Sequence, residues 1–157
     1  MALRLRTPMP DLSGATEWIG GEPINREDLE GHITLVHFWA VSCGICKPHL
    51  PQIAEWKKTY EDRGVRFVSI HMPRREEDTN VDAVKEVVAS SGLEHPTAVD
   101  NTHAITDAFQ NEFVPGYYVF DEKGQLRLYM SGEKVLPNVQ ATIDRLLEAQ
   151  ERAQAEA

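Results

Sequence analysis

The sequence predicts an α/β domain, a central mixed sheet with helices on both faces, and three observations predict it. Residues 33–40 run almost continuously apolar and β-prone, as a strand buried on both faces of a parallel sheet reads. From there to residue 111 strand-like and helix-like segments alternate. The chain then gives a hairpin signal, Tyr117-Tyr118-Val119-Phe120, a turn at Asp121-Glu122-Lys123-Gly124, and residues 126–130, before a last helical pattern.

Before Gly31 the chain is rich in Pro, Gly and polar residues. Within it, residues 16–19 read as a short edge strand ahead of the Gly20-Gly21 turn, and residues 25–29 as one helical turn. After the strand at 33–40, a helix is expected over about 44–61, with Leu50, Ile53, Trp56 and Tyr60 as its apolar stripe. Pro48 falls in its first turn, where a missing N–H is tolerated; Pro51 lies deeper and is expected to bend it. Residues 66–72 alternate like a strand. Thr79 or Asn80 can cap a helix with Val81, Val84, Val87 and Val88 inside and Ser90, Ser91 and Gly92 at its close. Residues 96–100 suggest another strand and 102–111 a further helix. The last helix carries Leu136, Val139, Ile143, Leu146 and Leu147 on one face, and the polar residues beyond are expected to fray. The order is β-α-β-α-β-α-β-β-α in a single domain, residues 1–157, without internal repeat or low-complexity tract.

The net charge of −9 argues against a nucleic-acid partner, since a polyanion would be repelled. The tight basic pair Arg74-Arg75 is followed at once by Glu76, Glu77 and Asp78, and the run reads as a solvated loop. No segment approaches the ~18 consecutive apolar residues of a spanning helix. Pro8 and Pro10 stand where a signal peptide would be apolar, so with Met1 as the native start a cytoplasmic location is expected.

The cysteines number two, spaced C-x-x-C as Cys43 and Cys46, too few for a disulfide framework or for a four-ligand zinc site in one chain. Cys43 follows a buried strand and opens a helix, where free backbone N–H groups and the helix dipole favour a negative charge. The thiolate is the nucleophilic form of cysteine, and such settings lower the thiol pKa below its free value of ~8.5. Cys46 lies one turn further on, placed to attack a mixed disulfide formed at Cys43. Two bland readings stand beside this one: half a zinc site, completed by His49 or a second chain, and a pair of inert buried thiols. Ser42 and Gly44, which suggest an exposed turn, weigh against the last.

The segment from Phe38-Trp39-Ala40 through Cys43-Gly44-Ile45-Cys46 to Lys47-Pro48-His49-Leu50-Pro51 resembles the active-site segment of the thioredoxin superfamily. It is closest to the TlpA/ResA-like branch, whose members commonly carry a second proline where Pro51 stands. The resemblance spans about residues 10–147 and includes an inserted strand-and-helix stretch, roughly 73–100, that minimal thioredoxins lack. It implies a thioredoxin-like fold and a thiol–disulfide oxidoreductase, in which Cys43 attacks a substrate disulfide and Cys46 resolves the mixed species. Phe113-Val114-Pro115 matches the place where the superfamily keeps a cis-proline; Pro115 would pack beside the sulfurs and the Val114 backbone would pair with a bound substrate chain. Trp39, Gly44 and Ile45 complete the implied substrate-binding set. Peroxiredoxins share the fold class, but their proline and Thr or Ser ahead of the peroxidatic cysteine are absent here: Val36 and Ala40 precede Cys43, and Trp39 and Cys43 precede Cys46.

Several positions depart from the pattern. His37 lies six residues before Cys43, where thioredoxin has a buried acid; an imidazole can shuttle the proton of Cys46, or be a neutral core histidine. Ile45 replaces the usual proline between the cysteines, Ser42 a bulky aromatic, and Gly116 a Thr of many relatives. His49, where the branch often has Glu, reads as a surface residue. Trp18, Trp56, His71, His95 and His103 show no spacing that suggests a site.

Two functions are therefore carried forward. The first is disulfide exchange, favoured in the reductive direction, with protein or small-molecule disulfides as substrates, a thioredoxin-type reductant or other thiol donor as partner, and no cofactor or metal. The second is a binding module on the same scaffold, or a zinc- or copper-handling protein using the C-x-x-C pair.

Overall fold

The computed structural model describes residues 3–156. Its central strand, β2 (Thr34–Trp39), is buried at every position. It pairs in parallel with β3 (Arg66–His71), register His37 to Ser69, and antiparallel with β5 (Gly116–Phe120), register His37 to Tyr117. β4 (Thr97–Val99) continues the sheet in parallel beside β3, and β1 (Glu17–Ile19) closes that edge antiparallel. At the other edge β6 (Leu126–Ser131) forms the expected hairpin with β5. The mixed sheet has six strands in the order β1-β4-β3-β2-β5-β6.

The period-two alternation of strands divides the core. Leu35 and Trp39 of β2, with Tyr117 and Val119 of β5, face a cluster built by α1 (Cys46–Tyr60), α2 (Val81–Ser91) and α4 (Leu136–Glu156). Val36 and Phe38, with Tyr118 and Phe120, face a second cluster made by α3 (Ala104–Phe109) and by Met9, Leu12 and Leu29 of the opening segment. Helices thus cover both faces, the thioredoxin-like arrangement.

Pro51 lies inside α1, where a proline costs about 3 kcal/mol. The expected stripe Leu50, Ile53, Trp56 and Tyr60 is buried, and burying a large apolar side chain stabilises by about 1.5–3 kcal/mol each, so packing outweighs the proline. α2 is capped as expected: Asn80 Oδ1 accepts the Ala83 N–H at 3.2 Å, and Gly92 ends the helix in the left-handed region at φ 76°. The expectation that the polar end frays is not met, since α4 continues to Glu156. The residues past Leu147 are Ala, Glu, Gln and Arg, strong helix formers with no Gly or Pro among them, and Arg63 grips Glu151 through two hydrogen bonds of 3.1 and 2.9 Å.

Four histidines, His37, His49, His71 and His95, are carried into the interior. Burial lowers the pKa of each, that of His71 and His95 to about 4. The unfolded chain, with histidines near 6.5, therefore binds more protons than the folded one just below that pH. Stability is full above about pH 6.5 and falls as the pH drops towards 4, by up to about 1.4 kcal/mol per pH unit for each histidine. Urea midpoints measured across this range should fall steeply on acidification, and His71→Gln should flatten the slope; a stability independent of pH there would contradict the buried, neutral histidines.

Gly116 opens β5 in a crowded place. A Cβ there would come within 2.8 Å of Asn111 Oδ1 and 3.1 Å of the Phe113 carbonyl oxygen. Asn111 cannot easily yield, because it is buried and bonded to Tyr118 Oη at 3.0 Å and to the Phe113 carbonyl at 2.9 Å. Gly116→Ala should lower unfolding stability by about 1–3 kcal/mol in urea titration; an unchanged midpoint would show that the segment relaxes freely.

Candidate active site

Where β2 ends, the backbone turns and hands its hydrogen bonds to α1. The Cys43 N–H closes the turn on the Ala40 carbonyl at 3.0 Å. No side chain caps α1; instead the Cys46 N–H donates to Cys43 Sγ at 3.1 Å. The first turn of α1 contains no acidic residue. Cys43 and Cys46 are joined by a disulfide. Cys46 is fully buried and Cys43 nearly so, while Gly44 and Ile45 between them are exposed, Ile45 at 40%.

The turn is held from two sides. The Val41 N–H donates to His71 Nε2 at 3.0 Å, and Trp39 meets the His71 ring edge-on, centroids 4.9 Å apart. Trp39, expected in the substrate-binding set, has no exposed surface and packs beneath the turn. On the outer side Ser42 Oγ donates to Asp78 Oδ2 at 2.7 Å and accepts from the Arg74 guanidinium at 3.1 and 3.3 Å, while the Arg74 N–H also donates to Asp78 at 3.0 Å. Burial pushes the Asp78 carboxyl up, but the bonds from Ser42 and Arg74 outweigh it and hold it below the usual range. The run 74–78 is therefore not simply a solvated loop: Asp78 is buried in a short 3₁₀ turn, Glu76–Thr79. A run of like charges shows nothing of its long-range partner, and the signal that could have found it was the small polar Ser42 beside Cys43.

His37 lies on the α1 side of the sheet and stacks on Tyr117, ring centroids 5.1 Å apart. Its Nδ1 lies 3.0 Å from Ser69 Oγ, which lies 2.7 Å from His95 Nε2. Tyr117 Oη is 2.6 Å from His49 Nδ1, and His49 Nε2 is 3.0 Å from the Glu133 carbonyl. A carbonyl only accepts, so His49 carries its proton on Nε2 and takes the tyrosine O–H on Nδ1. His49 is thus a buried residue, not the surface one its polarity suggested, because Tyr117 and Glu133 satisfy both nitrogens. With both engaged it offers no free nitrogen to complete a zinc site.

The third piece comes from the segment before β5. The Val114–Pro115 peptide bond is cis, and Pro115 is buried. Val114 packs against both core clusters, including the one holding the cysteines, while Phe113 stands 60% exposed beside it. Asn111 ties this segment to Tyr118, as described above. The structure therefore brings Cys43, Cys46, Trp39 and Val114 onto one cluster, with His37 on the same side of the sheet.

Comparison with known proteins agrees with this architecture. Residues 5–129 match the AhpC/TSA family. The thiol–disulfide oxidoreductase YkuV of Bacillus subtilis is 43% identical over 146 residues, 92% of this chain and 97% of its own length. The thiol–disulfide oxidoreductase ResA of Bacillus thuringiensis is 24% identical over 80% of this chain and 70% of its own. The solution structure of a thioredoxin-like protein in its oxidised form superimposes with a TM-score of 0.86 at 42% identity, covering 94% of this chain and 99% of that one. The chain belongs to the AhpC/TSA family, and within it stands with the thioredoxin-like thiol–disulfide oxidoreductases of the TlpA/ResA type.

Proposed function

We propose that this oxidoreductase works as a reductase, with Cys43 as the attacking thiolate and Cys46 as the resolving thiol. The observation that carries the two thiol roles is the Cys46 N–H directed at Cys43 Sγ, 3.1 Å away at the uncapped start of α1. A donor at that point stabilises the thiolate of Cys43 and leaves Cys46 as the buried, more basic partner. In the forward cycle the Cys43 thiolate attacks a substrate disulfide and expels one substrate thiolate. Cys46 then loses its proton and attacks Cys43; the second substrate thiolate leaves, and two electrons have passed from the enzyme dithiol to the substrate. A thioredoxin-type reductant or another thiol donor restores the pair.

The surface that receives substrate is proposed to be the exposed Gly44-Ile45 turn together with the half-buried Val114, with the buried Pro115 and Trp39 supporting it from below. An extended substrate chain can pair with the Val114 backbone, and a protein or a small-molecule disulfide fits this open surface alike. His37, buried and held neutral at physiological pH by that burial, is the proposed acceptor of the Cys46 proton. A cytoplasmic home, where thiols are kept reduced, is proposed with it; among the described residues no helix is long and apolar enough to cross a membrane.

The assignment is tested by separating the two thiols. Cys46→Ser should accumulate a stable mixed disulfide at Cys43 with a substrate disulfide, Cys43→Ser should lose exchange altogether, and alkylation of the reduced enzyme should modify Cys43 at lower pH than Cys46. Faster modification of Cys46 would overturn the assignment.

A further inference from the structure

Arg74 stands beside the reactive turn with most of its hydrogen-bonding capacity unused. Its backbone is pinned on both sides. The Arg74 N–H donates to Asp78 Oδ2 at 3.0 Å, and His103 Nε2 donates to the preceding Pro73 carbonyl at 2.7 Å. His103 does so from the left-handed region, at φ 62°. The Arg74 side chain is exposed, yet it too has a fixed rest. Ser42 gives its one proton to Asp78, so its oxygen can only accept from Arg74. Both Nε and Nη2 donate to that oxygen, at 3.3 and 3.1 Å.

A guanidinium carries five N–H groups, and this rest uses two of them. The remaining three, two on Nη1 and one on Nη2, have no hydrogen-bond partner among the described residues, and no carboxylate there forms an ion pair with the guanidinium. Asp78 is occupied by Ser42 and the Arg74 backbone, and the exposed Glu76 and Glu77 do not bond to the guanidinium. The free edge, Nη1 with Nη2, is the fork that takes a carboxylate through two parallel hydrogen bonds.

The chain itself fixes how far this edge stands from the sulfur. Ser42 is bonded to Cys43, with Cα atoms about 3.8 Å apart, so a guanidinium in contact with Ser42 Oγ lies within about 10 Å of the Cys43 Cα. An acidic side chain one or two positions from a substrate cysteine spans such a distance, since an extended chain advances roughly 3.3 Å per residue. With a net charge of −9 the protein as a whole repels anions. The turn is different: the first turn of α1 has no acidic residue, and its Lys47 is exposed like Arg74. Glu133, tied through its carbonyl to His49, pairs with neither cation.

We infer that Arg74 sets substrate specificity by gripping a carboxylate one or two residues from the substrate cysteine, so that acidic peptide disulfides are preferred. The inference rests on Cys43 being the attacking thiolate. The carboxylate docks on Nη1 and Nη2 while Ser42 and Asp78 hold the other edge of the guanidinium. The Cys43 thiolate then bonds to the peptide sulfur, and the other half of the substrate leaves as its thiolate. Arg74 orients the peptide and exchanges neither proton nor electron.

The test uses three peptides that differ only beside a cysteine carrying an S-pyridyl disulfide: glutamate, glutamine or lysine. Attack by Cys43 of the reduced enzyme releases 2-thiopyridone, read by its absorbance, and each rate is divided by that of the same peptide with free dithiothreitol. The glutamate peptide should exceed the glutamine peptide by about threefold or more, the scale of an exposed ion pair, and the lysine peptide should be slowest. Arg74→Gln should bring the glutamate-to-glutamine ratio to about one, Arg74→Glu should invert the order of glutamate and lysine, and Lys47→Gln should preserve it. The ratio cancels any change in Cys43 reactivity from a loosened turn, so an arginine that merely braces Ser42 would leave it unmoved. A ratio of one in the parent, a ratio that survives Arg74→Gln, or a ratio lost in Lys47→Gln instead would overturn the role of Arg74 while leaving that of Cys43 in place. Release that persists in Cys43→Ser would overturn the attacking thiolate and the inference with it.

Discussion

Between the end of β2 and the start of α1 the chain leaves the sheet ladder and has not yet begun to donate within the helix, and the Cys46 N–H freed by that exchange is what the Cys43 sulfur meets. The position is therefore a property of the strand–helix junction, and its rigidity comes from β2, buried at all six residues between two neighbouring strands. The remaining features hold or surround this junction. His71 and Trp39 fix it from below and Ser42 and Asp78 from the side, while Val114, just before Pro115, packs on the same core cluster as the two sulfurs.

Several buried polar side chains, among them His37, His49 and Ser69, lie on the α1 side of the sheet. A buried imidazole without partners is costly, so its presence asks for a compensating network. His49 has one, with Tyr117 on one nitrogen and Glu133 on the other. His37, Ser69 and His95 share one but leave a ring nitrogen unpaired at each end. An apolar triad of similar size would pack there without that penalty.

Much of this was legible in the sequence, for local reasons. The apolar run at 33–40, the helical stripe from Leu50 to Tyr60 and the hairpin around Gly124 are set by short-range periodicity, and the structure places each within a residue or two. The cysteine pair was legible because its spacing and its strand–helix setting are both contiguous. Contacts across the sheet were not. His49 and Asp78 are polar residues on stretches that read as solvent-facing, and they are buried because Tyr117, Glu133 and Ser42 meet them from 36 to 84 residues away. His95 shows no local pattern at all; only the pairing of β2, β3 and β4 puts it in line with Ser69 and His37. Gly116 read as a lost side chain, whereas the structure shows that Asn111 occupies the space a side chain would need.

The most direct measurement of the central claim is an equilibrium redox titration of the Cys43–Cys46 pair against glutathione or dithiothreitol, followed by the alkylation state of the two thiols. A reductase built on this junction should show one reversible two-electron couple on the reducing side, near thioredoxin's roughly −270 mV. A potential nearer −120 mV would contradict the reductive direction and mark an oxidant, and failure to form a reversible disulfide would contradict the account as a whole.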